Sequence, residues 1–140
     1  MKGVFIDTIV FIDYVAHRGV FFEPAATIVS LAEKRTFRLL VSSLSFATGS
    51  YILESHYGKH PNEILQSYSE FVSLCRVTTV NEAIIRKAIE CPFDDFEDAM
   101  QYHTALSEGA DCIITRDKKH FALSNVPVMT PVGFLDMLTK

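Results

Sequence analysis

Gly3-Val4-Phe5-Ile6-Asp7-Thr8-Ile9-Val10-Phe11 is the stretch on which the fold turns. From Gly3 to Ile6 the chain is apolar and lacks the alternation of a half-exposed strand, so it reads as a strand buried on both faces. Asp7 stops that run, and a helix is expected from about Thr8 to Ala16. A strand of this kind needs parallel neighbours and helices over both sides. It should therefore lie inside the sheet, flanked by the strands near Val41 and Ile114.

The rest of the chain repeats the unit. Pro24 suits the first turn of a second helix, in which Ala25, Ile28, Val29 and Ala32 recur at helical spacing. Phe21-Phe22, in the loop before it, is a candidate dimer or partner surface. Phe37 to Val41 is the next strand. Ser42 or Ser43 caps a helix through Phe46, Tyr51 and Leu53, which Gly58 stops. An amphipathic helix from Pro61 to about Leu74, a strand from Arg76 to Val80 and a helix from Glu82 to Glu90 follow. Asp94-Asp95 opens a helix from about Asp95 to Glu108, closed by Gly109. Cys112-Ile113-Ile114 is another buried strand, Val126 to Met129 a short edge strand and Pro131 to Leu138 a last helix. Strands alternating with helices make an α/β fold around a central, mainly parallel sheet of about five strands. No repeat or long linker divides it, so residues 1–140 are expected to form a single domain.

Composition narrows the function. With 49% hydrophobic and 21% charged residues, the chain has the balance of a globular core under a solvated surface. No apolar stretch nears the about 20 residues of a membrane helix, and Met1-Lys2-Gly3 does not read as a secretory leader. No membrane association and a cytoplasmic location are expected. Cys75, Cys91 and Cys112 are too scattered, and odd in number, for a disulfide framework or a metal knuckle. A net charge of -4 offers no broad basic surface, so RNA would have to be held locally, or with the help of a metal or a second subunit.

Ligands of open parallel sheets bind beyond the carboxyl ends of the strands. Asp7 ends the first strand there, and Asp117 ends a later one in Ile113-Ile114-Thr115-Arg116-Asp117. Each also suits a helix or turn cap. In Asp94-Asp95-Phe96-Glu97-Asp98-Ala99, four carboxylates in five residues complement the macrodipole at a helix start. Capping explains Asp94 or Asp95 well. It explains Asp98 less well, one turn beyond Asp95 on the same face.

These residues carry a family resemblance. Val4-Phe5-Ile6-Asp7-Thr8-Ile9-Val10-Phe11-Ile12-Asp13-Tyr14 resembles the opening of PIN domains, the VapC toxins of bacterial toxin-antitoxin pairs among them. Asp95-Phe96-Glu97-Asp98-Ala99-Met100-Gln101, then Ala105-Leu106, Gly109-Ala110-Asp111, Ile113-Ile114-Thr115-Arg116-Asp117 and His120-Phe121, is similar in order and spacing to the family's C-terminal signature. Val126-Pro127-Val128-Met129-Thr130-Pro131 with Phe134-Leu135 resembles the close of one bacterial branch. The first motif alone is weak; the second is long and specific. The resemblance implies a three-layer, Rossmann-like PIN fold and a metal-dependent endoribonuclease. In it Asp7, Asp98 and Asp117 lie within an ion's reach of one another, bind Mg2+ or Mn2+ and form the catalytic site. RNA is then the substrate, with a small antitoxin protein and a second copy of the chain as partners. Hard oxygen ligands suit these ions, which keep waters and bridge to phosphate.

The sequence departs from the family at one telling place. PIN nucleases commonly carry a glutamate on the helix after the second strand, and in Ser42-Ser43-Leu44-Ser45-Phe46-Ala47-Thr48-Gly49-Ser50-Tyr51 the aligned position is Thr48. Ile9 likewise replaces the Asn often found two residues after the first Asp. The site is then one carboxylate short. Glu54 is turned roughly 240° away from the Thr48 face, so Asp95 is the candidate compensating ligand or water holder. Thr8, Thr48 and Thr115 are supporting hydroxyls, and Arg116 and Lys118 are candidates for phosphate contact, although a short basic cluster also suits a solvated turn. His17, His56, His60, His103 and His120 show no metal-pair spacing and are assigned to solvent or core, with His103 on a flank of the Asp98 helix. Two other functions compete. One is a PIN module weakened by Thr48 that binds RNA or protein without cutting. The other is a phosphatase of the haloacid dehalogenase class, which wants a second Asp where Ile9 stands.

Overall fold

In the computed structural model, which describes residues 2–140, the side chains of strand β1 (Gly3–Ile6) point alternately into two cores. Val4 and Ile6 join Phe11, Ile28, Val29, Phe71 and Phe134 on one side, whereas Phe5 joins Tyr102, Ala105, Ile113 and Phe121 on the other. Both faces of β1 are buried, as its unbroken apolar run requires.

The chain continues through α1 (Thr8–Val15), α2 (Gly19–Glu33), β2 (Arg38–Ser42), α3 (Ser43–Ser55), α4 (Pro61–Phe71), β3 (Arg76–Thr78), α5 (Glu82–Glu90) and α6 (Phe96–Ser107). It ends with β4 (Cys112–Ile114), a 3-10 turn (Lys118–Phe121), β5 (Val128–Met129) and α7 (Pro131–Leu138). The strands order as β3-β2-β1-β4-β5, and every pairing is parallel. Ile6 lies opposite Val41 on one side and Ile114 on the other, so β1 has the two neighbours expected from sequence. Helices α1 to α4 and α7 cover one face, and α5 and α6 the other, which completes a three-layer α/β fold. The chain leaves β1 toward β2, while β4 lies on the opposite flank. A crevice opens at the carboxyl ends of β1 and β4, where the connections diverge.

Close packing brings α3 to that crevice. A Cβ on Gly49 would fall 2.8 Å from the Tyr68 hydroxyl and 3.0 Å from Phe11 Cε2, so the bare backbone of glycine is what lets α3 approach α1 and α4. Thr48 is carried in with it. At the far end of α6, Gly109 takes φ +69°, the left-handed stop that a glycine provides most cheaply.

The structure departs from the sequence reading in three places. Helix α2 starts at Gly19, so Pro24 lies inside it rather than in its first turn. Phe21 and Phe22 are consequently helical. Phe22 stacks on His17 and Tyr14 at centroid distances of 4.2 and 5.9 Å, and Phe21 carries the Arg116 guanidinium 3.7 Å from its ring centre. Their own chain covers both rings in part, although Phe21 remains 41% exposed. Strand β3 stops at Thr78, which turns inward to accept a hydrogen bond from Thr104 of α6 at 2.9 Å. The 3-10 turn after Asp117 has no counterpart in the sequence reading. Among the described residues, no helix is long and apolar enough to cross a membrane.

Candidate metal centre

Asp7 follows β1 directly and caps α1, its Oδ1 accepting from the Val10 amide at 3.2 Å. Its backbone amide donates to the Ile114 carbonyl at 3.1 Å, which ties it to the end of β4. The other carboxylate oxygen, Oδ2, accepts a 2.5 Å hydrogen bond from Thr115. Asp7 is only 8% exposed, and burial pushes its pKa up to about 7. The hydrogen bonds from Thr115 and Val10 oppose that rise, and the charge of Asp98 adds to it.

Thr115 organises the second acid as well. Its hydroxyl accepts from the Asp117 amide at 3.1 Å, so one side chain orients the Asp7 carboxylate and the backbone of the Asp117 loop. Asp98 reaches the same crevice from the first turn of α6. Its pKa is raised to about 6 by burial and by Asp95, with Glu97 and Asp117 pushing the same way and His120 opposing. His120, in the 3-10 turn, spans the two outer acids: Nδ1 lies 3.1 Å from Asp98 Oδ2 and Nε2 3.1 Å from Asp117 Oδ2. His120 is exposed, as its assignment to solvent or core allows, but it stands at the cleft between two acids. Its spacing of three from Asp117 was the available signal. His103 does sit away from the cleft, where burial and Lys87 lower its pKa.

Beneath the acids lies a buried hydroxyl and amide network. Thr8 Oγ1 and Ser45 Oγ are 2.8 Å apart, and Gln101 Nε2 donates to both, at 2.6 and 3.1 Å. This ties α1, α3 and α6 together below the cleft. Thr48 stands one turn beyond Ser45 and donates to Glu97 Oε1 at 3.3 Å. Burial raises the pKa of Glu97, while the Thr48 hydroxyl offsets part of the rise.

Asp7, Thr8, Thr48, Glu97, Asp98, Gln101, Asp117 and His120 line one cleft of ≈ 480 Å³, with Arg18, His56 and Tyr57 at another part of its wall. Three expected contributors sit elsewhere. Asp95 is the N-cap of α6, its Oδ1 2.9 Å from the Asp98 amide, and it faces a neighbouring cleft. Arg116 grips buried Asp13 through contacts of 2.7 and 3.3 Å while stacked on Phe21. Lys118 is exposed at the start of the 3-10 turn and does not line the cleft. Arg18, which the sequence reading passed over, does line it. Its Nε lies 3.2 Å from Asp13 Oδ1 without the alignment of a hydrogen bond.

The donor set suits a hard cation. Carboxylates crowd one cleft and raise one another's pKa, and a buried amide oxygen, Gln101 Oε1, has no protein donor. Among the described residues, no three His, Cys, Asp or Glu groups converge tightly enough to enclose an ion as they stand. The expected convergence of Asp7, Asp98 and Asp117 within one ion's reach is therefore not seen: the three line an open cleft, with His120 between Asp98 and Asp117. An open set is compatible with Mg2+ or Mn2+, which bind through few carboxylates and keep several waters.

An acid-lined cleft at the switch point of a parallel sheet covered by helices on both faces defines the class: an α/β protein with its candidate site beside β1. The PIN domain model matches residues 3–119, and the chain belongs to the PIN domain family. It is 28% identical to Ribonuclease VapC1 of Aquifex aeolicus (strain VF5) over 140 residues, 96% of this chain and 94% of that protein. Its fold matches VapC20 of Mycobacterium tuberculosis, a toxin that cleaves the sarcin-ricin loop, with a TM-score of 0.68 and 16% identity over 86% of this chain and 94% of that one. It also matches VapBC2 of Rickettsia felis bound to a promoter DNA fragment, with a TM-score of 0.67 and 14% identity over 91% and 97%.

Proposed function

We propose that this protein is a Mg2+- or Mn2+-dependent endoribonuclease, the toxin of a toxin-antitoxin pair, acting in the cytoplasm. The observation that carries the reading is that Asp7, Asp98 and Asp117 line one cleft, with Asp7 buried at its head. These three acids hold the ion. Bound there, it supplies the charge that lowers the pKa of a water for attack on phosphorus and steadies the oxygens as the P–O bond breaks. Asp7 keeps its orientation through Thr115 and Val10. Arg18 within the cleft, and Lys118 on the exposed 3-10 turn that also carries His120, meet phosphates of the RNA strand, a local substitute for the basic surface that a net charge of -4 denies. Arg116 serves instead to brace the Asp117 loop against α1. The relationship to Ribonuclease VapC1 supports the RNA substrate, and the VapBC neighbours support a small antitoxin partner. A second copy of the chain is the other partner, and sedimentation of the purified protein tests it.

Cleavage of a mixed structured RNA with and without Mn2+ or Mg2+ tests the activity. Wild type cuts only with metal, and Asp98→Asn loses about a hundredfold or more. Cutting by Asp98→Asn at the wild-type rate would remove the assigned site. If wild type bound RNA yet left it intact at every metal concentration, the non-cutting module would become the better reading.

A further inference from the structure

Thr48 is the position at which the family resemblance leads to the expectation of a glutamate, and no carboxylate of α3 lines the cleft. What lies against it decides whether the site is short of a carboxylate. Ser45, Thr48 and Ile52 share one face of α3, and the Thr48 hydroxyl donates to Glu97 Oε1 at 3.3 Å. Glu97 comes from α6, where Glu97, Asp98 and Gln101 at relative positions 0, 1 and 4 face the cleft together. Helix-dipole compensation explains a negative charge at this helix start, but not a carboxylate turned across the cleft onto a neighbouring helix.

An independent observation points to a ligand. Gln101 is 1% exposed, and its Nε2 is committed to Thr8 and Ser45, yet its Oε1 has no protein donor and belongs to the same lining as Glu97. A buried acceptor without a donor is costly unless something brings one. A cation that retains its water shell brings donors of that kind.

We infer that Glu97 supplies the fourth carboxylate of the ion site, delivered from α6 and held by Thr48, in place of the glutamate that α3 lacks. This rests on the metal-dependent reading above. It turns the apparent gap at Thr48 into a relocation: the acid has moved from one wall of the cleft to the facing wall. Glu97 carries the charge, and Thr48 orients it.

Calorimetric titration of the full chain with Mn2+ alone tests the inference without any RNA. Glu97→Gln keeps the shape and the acceptor for Thr48, and should weaken Mn2+ by about tenfold or more. Asp94→Asn, an exposed acid three residues away, should change affinity less than about threefold. The double variant Thr48→Glu/Glu97→Gln should return to within about threefold of wild type, since it puts the charge back on α3. Thermal unfolding with and without Mn2+ should rank the variants in the same order and report any that fail to fold. If wild type and Glu97→Gln bind equally while Asp98→Asn loses binding, the inference falls and the metal-dependent reading stands. If Asp94→Asn weakens binding as much as Glu97→Gln, or the double variant shows no recovery, the relocation is wrong. If wild type itself binds no Mn2+ at millimolar concentration, both fall.

Discussion

Asp7 caps α1 and Asp13 lies within it; both are buried and both are pushed by burial above the usual carboxylate range, yet the protein treats them in opposite ways. Asp13, 1% exposed, accepts from Arg116 at 2.7 and 3.3 Å and has Arg18 at 3.2 Å, so two guanidinium groups answer its charge. Asp7 accepts from the Thr115 hydroxyl and from backbone amides at the start of its own helix, and the charge acting on it is that of another acid, Asp98. An arginine, Arg116, is committed to the carboxylate that braces α1 against the loop after β4. None is committed to the carboxylate that faces the cleft. A buried acid left in this state is where the cation of the proposed function would supply the charge that the protein withholds.

Substituting each acid by its amide is the harshest way to break the comparison. Asp13→Asn strands two arginines in a half-buried setting and should cost about 3 kcal/mol in urea unfolding. Asp7→Asn should change stability in the opposite direction at pH 8, because Asn caps a helix as well as Asp does and no longer carries a buried charge. It should also abolish Mn2+ binding. Shifts of the same sign would mean that the two acids are held alike.

A milder test uses pH on the metal-free protein. An acid whose pKa is higher folded than unfolded binds its proton more tightly in the native state, so stability falls as pH rises between the two values. For Asp7 that window runs from 3.8 to about 7. Asp98 adds a loss of the same sign from 3.8 to about 6. The fall should reach up to ~1.4 kcal/mol per pH unit for Asp7 and level off above pH 7. Thermal unfolding from pH 4 to pH 8 measures it. Asp7→Asn should flatten most of the slope, and Mn2+ should restore stability more at pH 8 than at pH 5. A flat wild-type profile would show that Asp7 ionises as easily in the fold as out of it.

How far the site was legible follows from where its determinants lie in the chain. The central strand, its neighbours and the strand-end position of Asp7 were readable because an apolar run stopped by an acid is a local signal. The start of α2 was not. Its first turn is held by Phe22 on His17 and Tyr14 and by Phe21 under Arg116, contacts that outweigh the usual preference of Pro24 for a first turn. The place of Arg116 follows from a signal that the sequence did contain. Side chains alternate along an extended segment, so Thr115 and Asp117 face one way and Arg116 the other, toward Asp13. Glu97 was harder to find. Its spacing from Gln101 marks one helix face, but its meeting with Thr48 joins residues 49 positions apart and depends on how closely Gly49 lets α3 approach.

The smallest expected effect lies in Thr115, which separates a hydrogen bond to charge from one to shape. Its hydroxyl donates to Asp7 Oδ2 and accepts from the Asp117 amide, and valine fills nearly the same volume with neither capacity. At pH 5 Asp7 is mostly protonated in the fold, so Thr115→Val should lose about 1 kcal/mol, the ordinary worth of a neutral hydrogen bond. At pH 8 Asp7 is ionised and the lost bond is one to a charge, so the cost should rise to about 2 kcal/mol. The variant's profile should therefore fall more steeply than wild type through neutral pH, the reverse of Asp7→Asn, because removing the donor raises the pKa of Asp7 further. Urea unfolding of both proteins at the two pH values measures the difference. An equal cost at pH 5 and pH 8 would mean that the Thr115 proton does not act on the Asp7 charge, and that burial alone sets the state of the acid at the head of α1.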